Sequence, residues 1–293
     1  MHEIIWLVTG EQQGINIQSL LRGQLKISYG QYKRLKFHEG IYVDGILRRS
    51  DYQLSEGESV RLVFREELGH SPLAGSLPLI VAYEDADLLL VNKPAPLPSI
   101  ASKQRSETLE NRVFSYLGEP ADFVYRPINR LDKGTSGLML IAKNAHIQQR
   151  MQKLLHSDKF VRSYLAITVG SLPQQSGRID LAIGHAAGIR RQADENGQPA
   201  VTLYEVLQTK GELSLVALRL LTGRTHQIRV HLAALGCPVY GDFLYGKEEE
   251  KLPGRFALHA CSVKFFHPLV LKWVEATADL PAEMQELIGN PAS

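Results

Sequence analysis

Cysteine is scarce in this chain: only Cys237 and Cys261 occur among 293 residues. Two thiols are too few for a disulfide framework or a thiolate metal cage, and buried free thiols are expected. Long apolar runs are missing too, with nothing near the roughly 18 residues that a membrane span needs. The opening MHEIIWLVTGEQQG has neither a basic leader nor a cleavage pattern, so a cytoplasmic protein without membrane association is expected. Charge of either sign hardly prevails, at +2 formal, so a polyanion-binding surface has to come from local clustering. No GxxxxGK[ST] or GxGxxG loop is present to cradle a nucleotide cofactor. HExxH is absent, and His226 and His231, five residues apart, would stand about 140° apart on a helix and could not share a metal. No GxSxG elbow occurs either. No cofactor and no metal are therefore expected.

What is present has the composition of an ordinary globular protein, 44% apolar and 22% charged. The length allows two domains of about 100–200 residues each. Residues 15–49 hold the cations Arg22, Lys26, Lys33, Arg34, Lys36, Arg48 and Arg49 against the acids Glu39 and Asp44, a local charge of +5. Leu20, Leu21 and Leu25 have helical spacing, and SYGQ (28–31) matches a capping box that opens a second helix. In that helix Tyr32 and Leu35 share one side while Lys33, Arg34 and Lys36 stay wet. Asp44-Gly45 between two short apolar runs predicts a type I′ hairpin. Two short helices with a basic face, then a hairpin, make a small module suited to nucleic acid.

The Gly, Ser and Pro of 67–78 read as a linker. Beyond it strands neighbour strands, with helices interspersed: a strand pair turning at Glu84-Asp85, helices over TLENRVFSYL and NAHIQQRMQKLLH, and strands over SYLAITVG and LSLVALRLL. That order favours an α+β fold over a strict βαβ repeat.

One stretch stands out chemically: RPINRLDKGTSGLML (126–140) sets Asp132 between Arg130 and Lys133, ahead of Gly134, Thr135, Ser136 and Gly137. An aspartate after a strand commonly caps a turn or pairs with an arginine. Here the glycines permit close approach of backbone or ligand, Thr135 and Ser136 offer polar groups, and flanking arginines favour an ionised base or nucleophile. A second cluster lies in TGRTHQIRVHLAALGCPVYGD (222–242), where Ile228, Leu232 and Leu235 mark a helix face and Gly236 fits its end. Arg224 sits at the entry of that helix, a position that favours anions, although surface arginines are common there. Tyr164, within a strand, suits core packing or base stacking.

INRLDKGTSGLMLIAKN, SYLAITVG, GRTHQIRVHLAALGCPVYGD and ALHACSVKFFHP together resemble the RluA family of RNA pseudouridine synthases, from about Leu79 to the C-terminus and in that family's order. YVDGILRRSDYQLSEGESV is similar to the S-four-like RNA-binding domain that precedes many such catalytic domains. The resemblance implies an α+β catalytic domain with a mixed, mainly antiparallel sheet and flanking helices, over 79–293. A small α+β RNA-binding module over 1–66 would precede it. Asp132 would be the catalytic aspartate, Arg224 its partner arginine and Tyr164 the active-site tyrosine, with Arg130, Thr135 and Ser136 toward substrate. Asn129 stands where the family usually has histidine, and APLPSIAS (95–102) departs from its usual loop.

The implied reaction is the isomerisation of uridine to pseudouridine. The bond from ribose carbon 1 to uracil nitrogen 1 breaks, the base turns, and it rejoins through carbon 5. One carboxylate then suffices, whereas glycoside hydrolysis usually needs two. Asp132 would attack carbon 1 or remove the carbon 2 proton; the sequence leaves both routes open. A monomer acting on structured RNA, most naturally large-subunit ribosomal RNA, is expected. Transfer RNA and an inactive ribosome-associated binding protein are the alternatives.

Overall fold

A computed structural model of the chain describes residues 2–25, 27, 29–64, 72–100 and 107–289. It divides into two compact units, Met1–His70 and Ser71–Ser293.

The first unit is a four-stranded sheet carrying helices. Strands β1 (His2–Leu7), β2 (Ile41–Val43), β3 (Ile46–Leu47) and β4 (Ser59–Phe64) lie in the order β1-β4-β2-β3. The residues before the basic segment thus belong to its sheet, as β1 pairs antiparallel with β4. Asp44 and Gly45 both take positive φ, 47° and 80°, and join β2 to β3 by the two-residue turn that the sequence predicts. Helix α1 (Ile17–Ser19) is capped by Asn16, whose side chain accepts from the Ser19 amide, and widens into a π turn over Leu20–Gln24. Helix α2 (Tyr29–Phe37) buries Tyr32 and Leu35 and leaves Lys33, Arg34 and Lys36 exposed, as their spacing requires. Ser28 of the expected capping box and Lys26 of the basic set lie outside the described residues.

The second unit is built on a nine-stranded sheet. Its strands are β5 (Val81–Glu84), β6 (Leu88–Lys93), β7 (Ser136–Ala142), β8 (Phe160–Val169), β9 (Ser176–Asp180), β12 (Val201–Lys210), β13 (Leu213–Leu220), β14 (Leu258–His267) and β15 (Lys272–Thr277). The path is β5-β6-β7-β14-β8-β13-β12-β9, with β15 on β14. All neighbours run antiparallel except β7 and β14, which are parallel. Strands β10 (Ile183–His185) and β11 (Arg191–Ala193) form a separate hairpin.

Alternation along the strands assigns the two faces. Leu89, Val91, Met139 and Ile141 point to one core, shared with α3 (Leu109–Tyr116), α5 (Gln227–Ala234) and α6 (Ala282–Ile288). Leu88, Leu90, Leu138 and Leu140 point to the other, covered by Ile147 and Met151 of α4 (Ala145–Leu154). Strand β7 is therefore buried on both sides throughout. The fold is α+β, mixed and mainly antiparallel. Part of the expected linker is pinned rather than loose: the Leu73 carbonyl accepts from Asn111 Nδ2, and the Gly75 amide donates to Ser115 Oγ, both on α3. Among the described residues no helix is long and apolar enough to cross a membrane.

Candidate active site

The loop before β7 alternates in and out. Leu131 is buried in the core, Arg130 is exposed, and Asp132 lies between, with its side chain 30% exposed. A turn fixes this pattern, since the Thr135 amide donates to the Asp132 carbonyl at 3.1 Å. Two glycines allow the turn to dock. A Cβ on Gly134 would stand 2.6 Å from the Phe256 ring, and one on Gly137, at φ 109°, would stand 2.3 Å from the Ala260 carbonyl oxygen. Both glycines thus serve contact with the protein's own β14 side.

Lys93 braces the same loop from below. It is fully buried at the end of β6 and donates to the carbonyls of Leu97, Pro94 and Lys133. Burial pulls its pKa down to about 7, against the opposing charge of Asp132. Ser99 Oγ adds a hydrogen bond to the Leu131 carbonyl at 2.7 Å. Asn129, in the place where histidine was expected, turns inward: its Oδ1 accepts from the Leu140 amide at 2.9 Å. It holds the loop to β7.

The arginine that meets Asp132 is Arg229, on α5, and not Arg224. Arg229 Nη1 donates to Asp132 Oδ2 at 2.9 Å, while its Nε and Nη2 grip Asp242 at 2.7 and 2.8 Å. Arg224 instead donates from Nε to the Pro199 carbonyl at 3.0 Å. The reason is the phase of the helix. Residues 227–232 are all buried, so Arg229 enters the interior, whereas Arg224 precedes the helix and stays near the surface. Burial alone would favour loss of the Arg229 charge, but Asp242 and Asp132 outweigh it and its pKa is raised. The guanidinium also lies 4.1 Å from the Phe256 ring centre, the ring on which Gly134 rests.

Asp242 and Asp132 are consequently unequal. Asp242 is fully buried, and beyond the two Arg229 bonds it accepts from the amides of Leu244 and Tyr245. Asp132 has one oxygen on Arg229 and no further hydrogen bond on Oδ1 among the described residues.

His226 completes this side. It caps α5 in a left-handed conformation, φ 59°, which strains a side-chain-bearing residue by about 1 kcal/mol. Gln227 holds the loop in place by accepting from Thr222 Oγ1 and the Arg224 amide and donating to the Val201 carbonyl. Tyr245 hydroxyl accepts from the Arg191 amide at 2.8 Å, so its proton goes to His226 Nδ1, 2.9 Å away. His226 Nε2 then carries the ring proton, 3.8 Å from Asp132 Oδ2. Burial lowers the His226 pKa, which keeps the ring neutral. Lys93, His226, Arg229, Asp242 and Tyr245 were not singled out from the sequence.

Tyr164 lies on β8, 5% exposed, and makes no hydrogen bond among the described residues. Burial raises its pKa, with the Arg162 charge opposing and the Asp132 charge adding. The phenol therefore stays protonated near the carboxylate. Thr135 and Ser136 do not face the opening. Both are buried, and Ser136 Oγ bonds His259 Nδ1 at 2.9 Å while accepting from Arg255 Nη2 at 3.1 Å. Strand β14 covers them, because β7 pairs with it directly at Ser136 and Gly137.

The geometry has recognisable relatives. The RNA pseudouridylate synthase family matches residues 87–234. An uncharacterized RNA pseudouridine synthase of Bacillus subtilis, YjbO, is 35% identical over 272 residues, 91% of this chain and 96% of that one. Ribosomal large subunit pseudouridine synthase D of Haemophilus ducreyi is 32% identical over 268 residues, 85% of this chain and 82% of its own. The solved structure of human RNA pseudouridylate synthase domain containing 1 is 27% identical, with a TM-score of 0.57 over 69% of this chain and 83% of that one. The chain belongs to the RNA pseudouridine synthases, isomerases that act on RNA.

Proposed function

We propose that this protein isomerises uridine in large-subunit ribosomal RNA and that Asp132 is its single catalytic carboxylate. The observation that carries this reading is the division of labour around Arg229. One guanidinium holds two carboxylates; Asp242 is spent on it and on backbone amides, and Asp132 keeps an oxygen uncommitted toward solvent. Arg229 fixes that oxygen's direction, a task first expected of Arg224. A hydrolytic reaction at the same bond would want a second carboxylate to handle water, and the fully buried Asp242 is unsuited to that.

The target uridine has to leave its stack to reach Asp132. Exposed Arg130, two residues before it, supports the displaced nucleotide, and Tyr164 restrains the uracil by stacking while it turns. Attack of the free Asp132 oxygen on carbon 1, or its removal of the carbon 2 proton, breaks the bond between ribose carbon 1 and uracil nitrogen 1 and frees the uracil anion. Carbon 5 then bonds to carbon 1 as the Asp132–carbon 1 ester bond breaks, or as the proton returns from Asp132 to carbon 2. The hydrogen of carbon 5 leaves to water as a proton, and nitrogen 1 takes up a proton in its place. The neutral His226 Nε2–H, 3.8 Å from Asp132 Oδ2, is placed to donate to a sugar or base oxygen of the nucleotide held against Asp132. The exposed cations of the first unit, Arg22, Lys33, Arg34, Lys36 and Arg49, with the half-buried Arg48, contact phosphates of the larger RNA and set affinity rather than chemistry. The name of the Haemophilus ducreyi relative supports the ribosomal target.

The test uses ribosomal RNA labelled with tritium on uracil carbon 5. Wild type is expected to release label to water without releasing free uracil, and Asp132→Asn to lose at least about 10³-fold in rate, within the range for removing a positioned acid or base. An active Asp132→Asn enzyme would refute the catalytic assignment. Label released only from transfer RNA would move the target and leave the chemistry in place.

A further inference from the structure

Beside the catalytic cleft lies a buried cation that the mechanism does not use. Arg162, on β8, is 7% exposed, yet among the described residues it has no hydrogen bond and no carboxylate partner. Its contact is with the ring of Phe160, 5.8 Å from Cζ to the centroid, and its Nε is buried without a partner. Unpaired buried charge is costly, and folded proteins retain it chiefly where an anion arrives from outside.

An imidazole and a second guanidinium converge there. A Cβ placed on Gly223 would stand 3.2 and 3.4 Å from Arg162 Nη1 and Nη2 and 3.7 Å from His156 Cε1. The guanidinium and the imidazole thus meet at one point of backbone, and the missing side chain at Gly223 leaves both Nη atoms uncovered. Arg224 follows directly in sequence; its one side-chain hydrogen bond, to the Pro199 carbonyl, leaves its charge uncompensated. Burial and then the charges of Arg162 and Arg224 lower the His156 pKa, and no acid in the surroundings opposes them. The cluster adjoins the cleft, because Arg162 lies two residues before Tyr164 on the same side of β8 and the Tyr164 phenol senses both Arg162 and Asp132.

We propose that Arg162, His156 and Arg224 form a preorganised site for one backbone phosphate of the RNA, next to the nucleotide that enters the cleft. The planar guanidinium presents paired donors that match a phosphate, and an anion is what two neighbouring guanidiniums beside an imidazole lack. The RNA assignment rests on the function proposed above.

The first arm of the test is independent of turnover. The imidazole proton signals of His156 are followed by NMR while uridine 5′-monophosphate, inorganic phosphate or unphosphorylated uridine is added at constant ionic strength. A saturating shift with either phosphate, none with uridine, and loss of the shift in Arg162→Met is the expected result. The second arm measures RNA binding against salt, where Arg162→Met is expected to lower the slope of log affinity against log salt by about one, as for one lost phosphate contact. Melting temperature separates binding from structure: Arg162→Met removes a charge with no partner and is expected to leave it unchanged or higher. If that variant melts lower, Arg224→Gln carries the same two arms. An unaltered His156 titration and an unaltered salt slope, in enzyme that still isomerises RNA, would overturn the phosphate site and leave the proposed function intact. A normal His156 titration in protein that isomerises no RNA would overturn the RNA assignment instead.

Discussion

Two turns of the second unit hold the same chemical parts and put them to different use. Between β5 and β6, Asp85 lies 3.2 Å from Nε2 of the fully buried His267; before β7, Asp132 meets the nearly buried Arg229 at 2.9 Å. Each is an acid facing an interior base at the start of a strand. Asp85, however, is saturated: Oδ1 accepts from the amides of Asp87 and Leu88, and Oδ2 accepts from the Tyr83 hydroxyl as well as facing His267. Among the described residues Asp132 accepts one side-chain bond, on Oδ2, and leaves Oδ1 open. The difference lies in the remaining partners, not in the pair itself. A carboxylate whose acceptor sites are filled locks a turn, and one left half-filled can act on a substrate.

The neighbourhood of Asp85 also bears on metal binding. Asp85, Asp87 and His267 offer ligand atoms within 4.8 Å of one another. Yet His267 Nδ1 accepts from the amides of Leu269 and Val270, at 3.3 Å each, which puts the ring proton on Nε2. That nitrogen has a proton, not a lone pair, to turn toward Asp85, and the two face each other at 3.2 Å without a formed hydrogen bond. The bonds that hold Asp85 come from Tyr83 and from the amides of Asp87 and Leu88.

The sharpest way to break the contrast is to remove the buried base that faces Asp132. Arg229→Met leaves Asp242 fully buried without its cation, and a loss of about 3–5 kcal/mol is expected from breaking such a pair. Arg224→Met, at a residue held by one carbonyl, is expected to stay within about 0.5 kcal/mol of wild type. Urea unfolding of the two variants measures this directly. Equal losses would mean that the buried arginine is not what anchors the site.

How far the sequence could carry this argument depended on burial. Asp132 could be picked out as a candidate because its turn residues and following glycines are local signals, and the β2–β3 turn was legible because Asp44-Gly45 dictates it. The choice between Arg224 and Arg229 was not, since both stand in GRTHQIR and only the helix start, set by His226 in its left-handed conformation, decides which enters the interior. A charge next to Ile228 on an apolar helix face was the available hint, with Asp242 thirteen residues on as the acid it needed. Ser136 misled for a long-range reason: its hydroxyl is claimed by His259 and Arg255, more than a hundred residues away, through the parallel pairing of β7 with β14. Strand identity is written locally, but the partner strand that covers a side chain is not.

A second test uses acid. His259 pairs with the first residue of β7: its Nδ1 accepts from Ser136 and its Nε2 donates to the Ala278 carbonyl. Burial, with help from the Arg255 charge, lowers its pKa from 6.5 to about 4. The folded state therefore resists a proton that the unfolded chain accepts. The stabilisation is complete above about pH 6.5 and is lost as pH falls toward 4, by up to about 3 kcal/mol at 1.36 kcal/mol per unit. His259→Gln is expected to be less stable at pH 7.5 and to lose less on going to pH 4.5 than wild type does. Unfolding free energies at the two pH values check this; parallel losses in both proteins would place the acid sensitivity elsewhere.

The smallest expected effect tests the closed turn itself. Asp85→Asn keeps an oxygen for the amides of Asp87 and Leu88, but its NH2 group would face the Nε2 proton of His267, donor against donor. Loss of one buried acceptor corresponds to about 1–3 kcal/mol. Burial and the bond to Asp85 raise the Tyr83 pKa to about 12, so its hydroxyl stays protonated and, with an NH2 group in place of Oδ2, loses its acceptor as well. Because Asp85 lies outside the Asp132 and Arg229 contacts, the rate per folded molecule is expected to remain that of wild type. A variant that keeps its stability would show that filling every acceptor is not what locks this turn. One that melts lower and also turns over more slowly would show that the two turns are mechanically joined through β6, whose far end carries Lys93 beneath the catalytic loop.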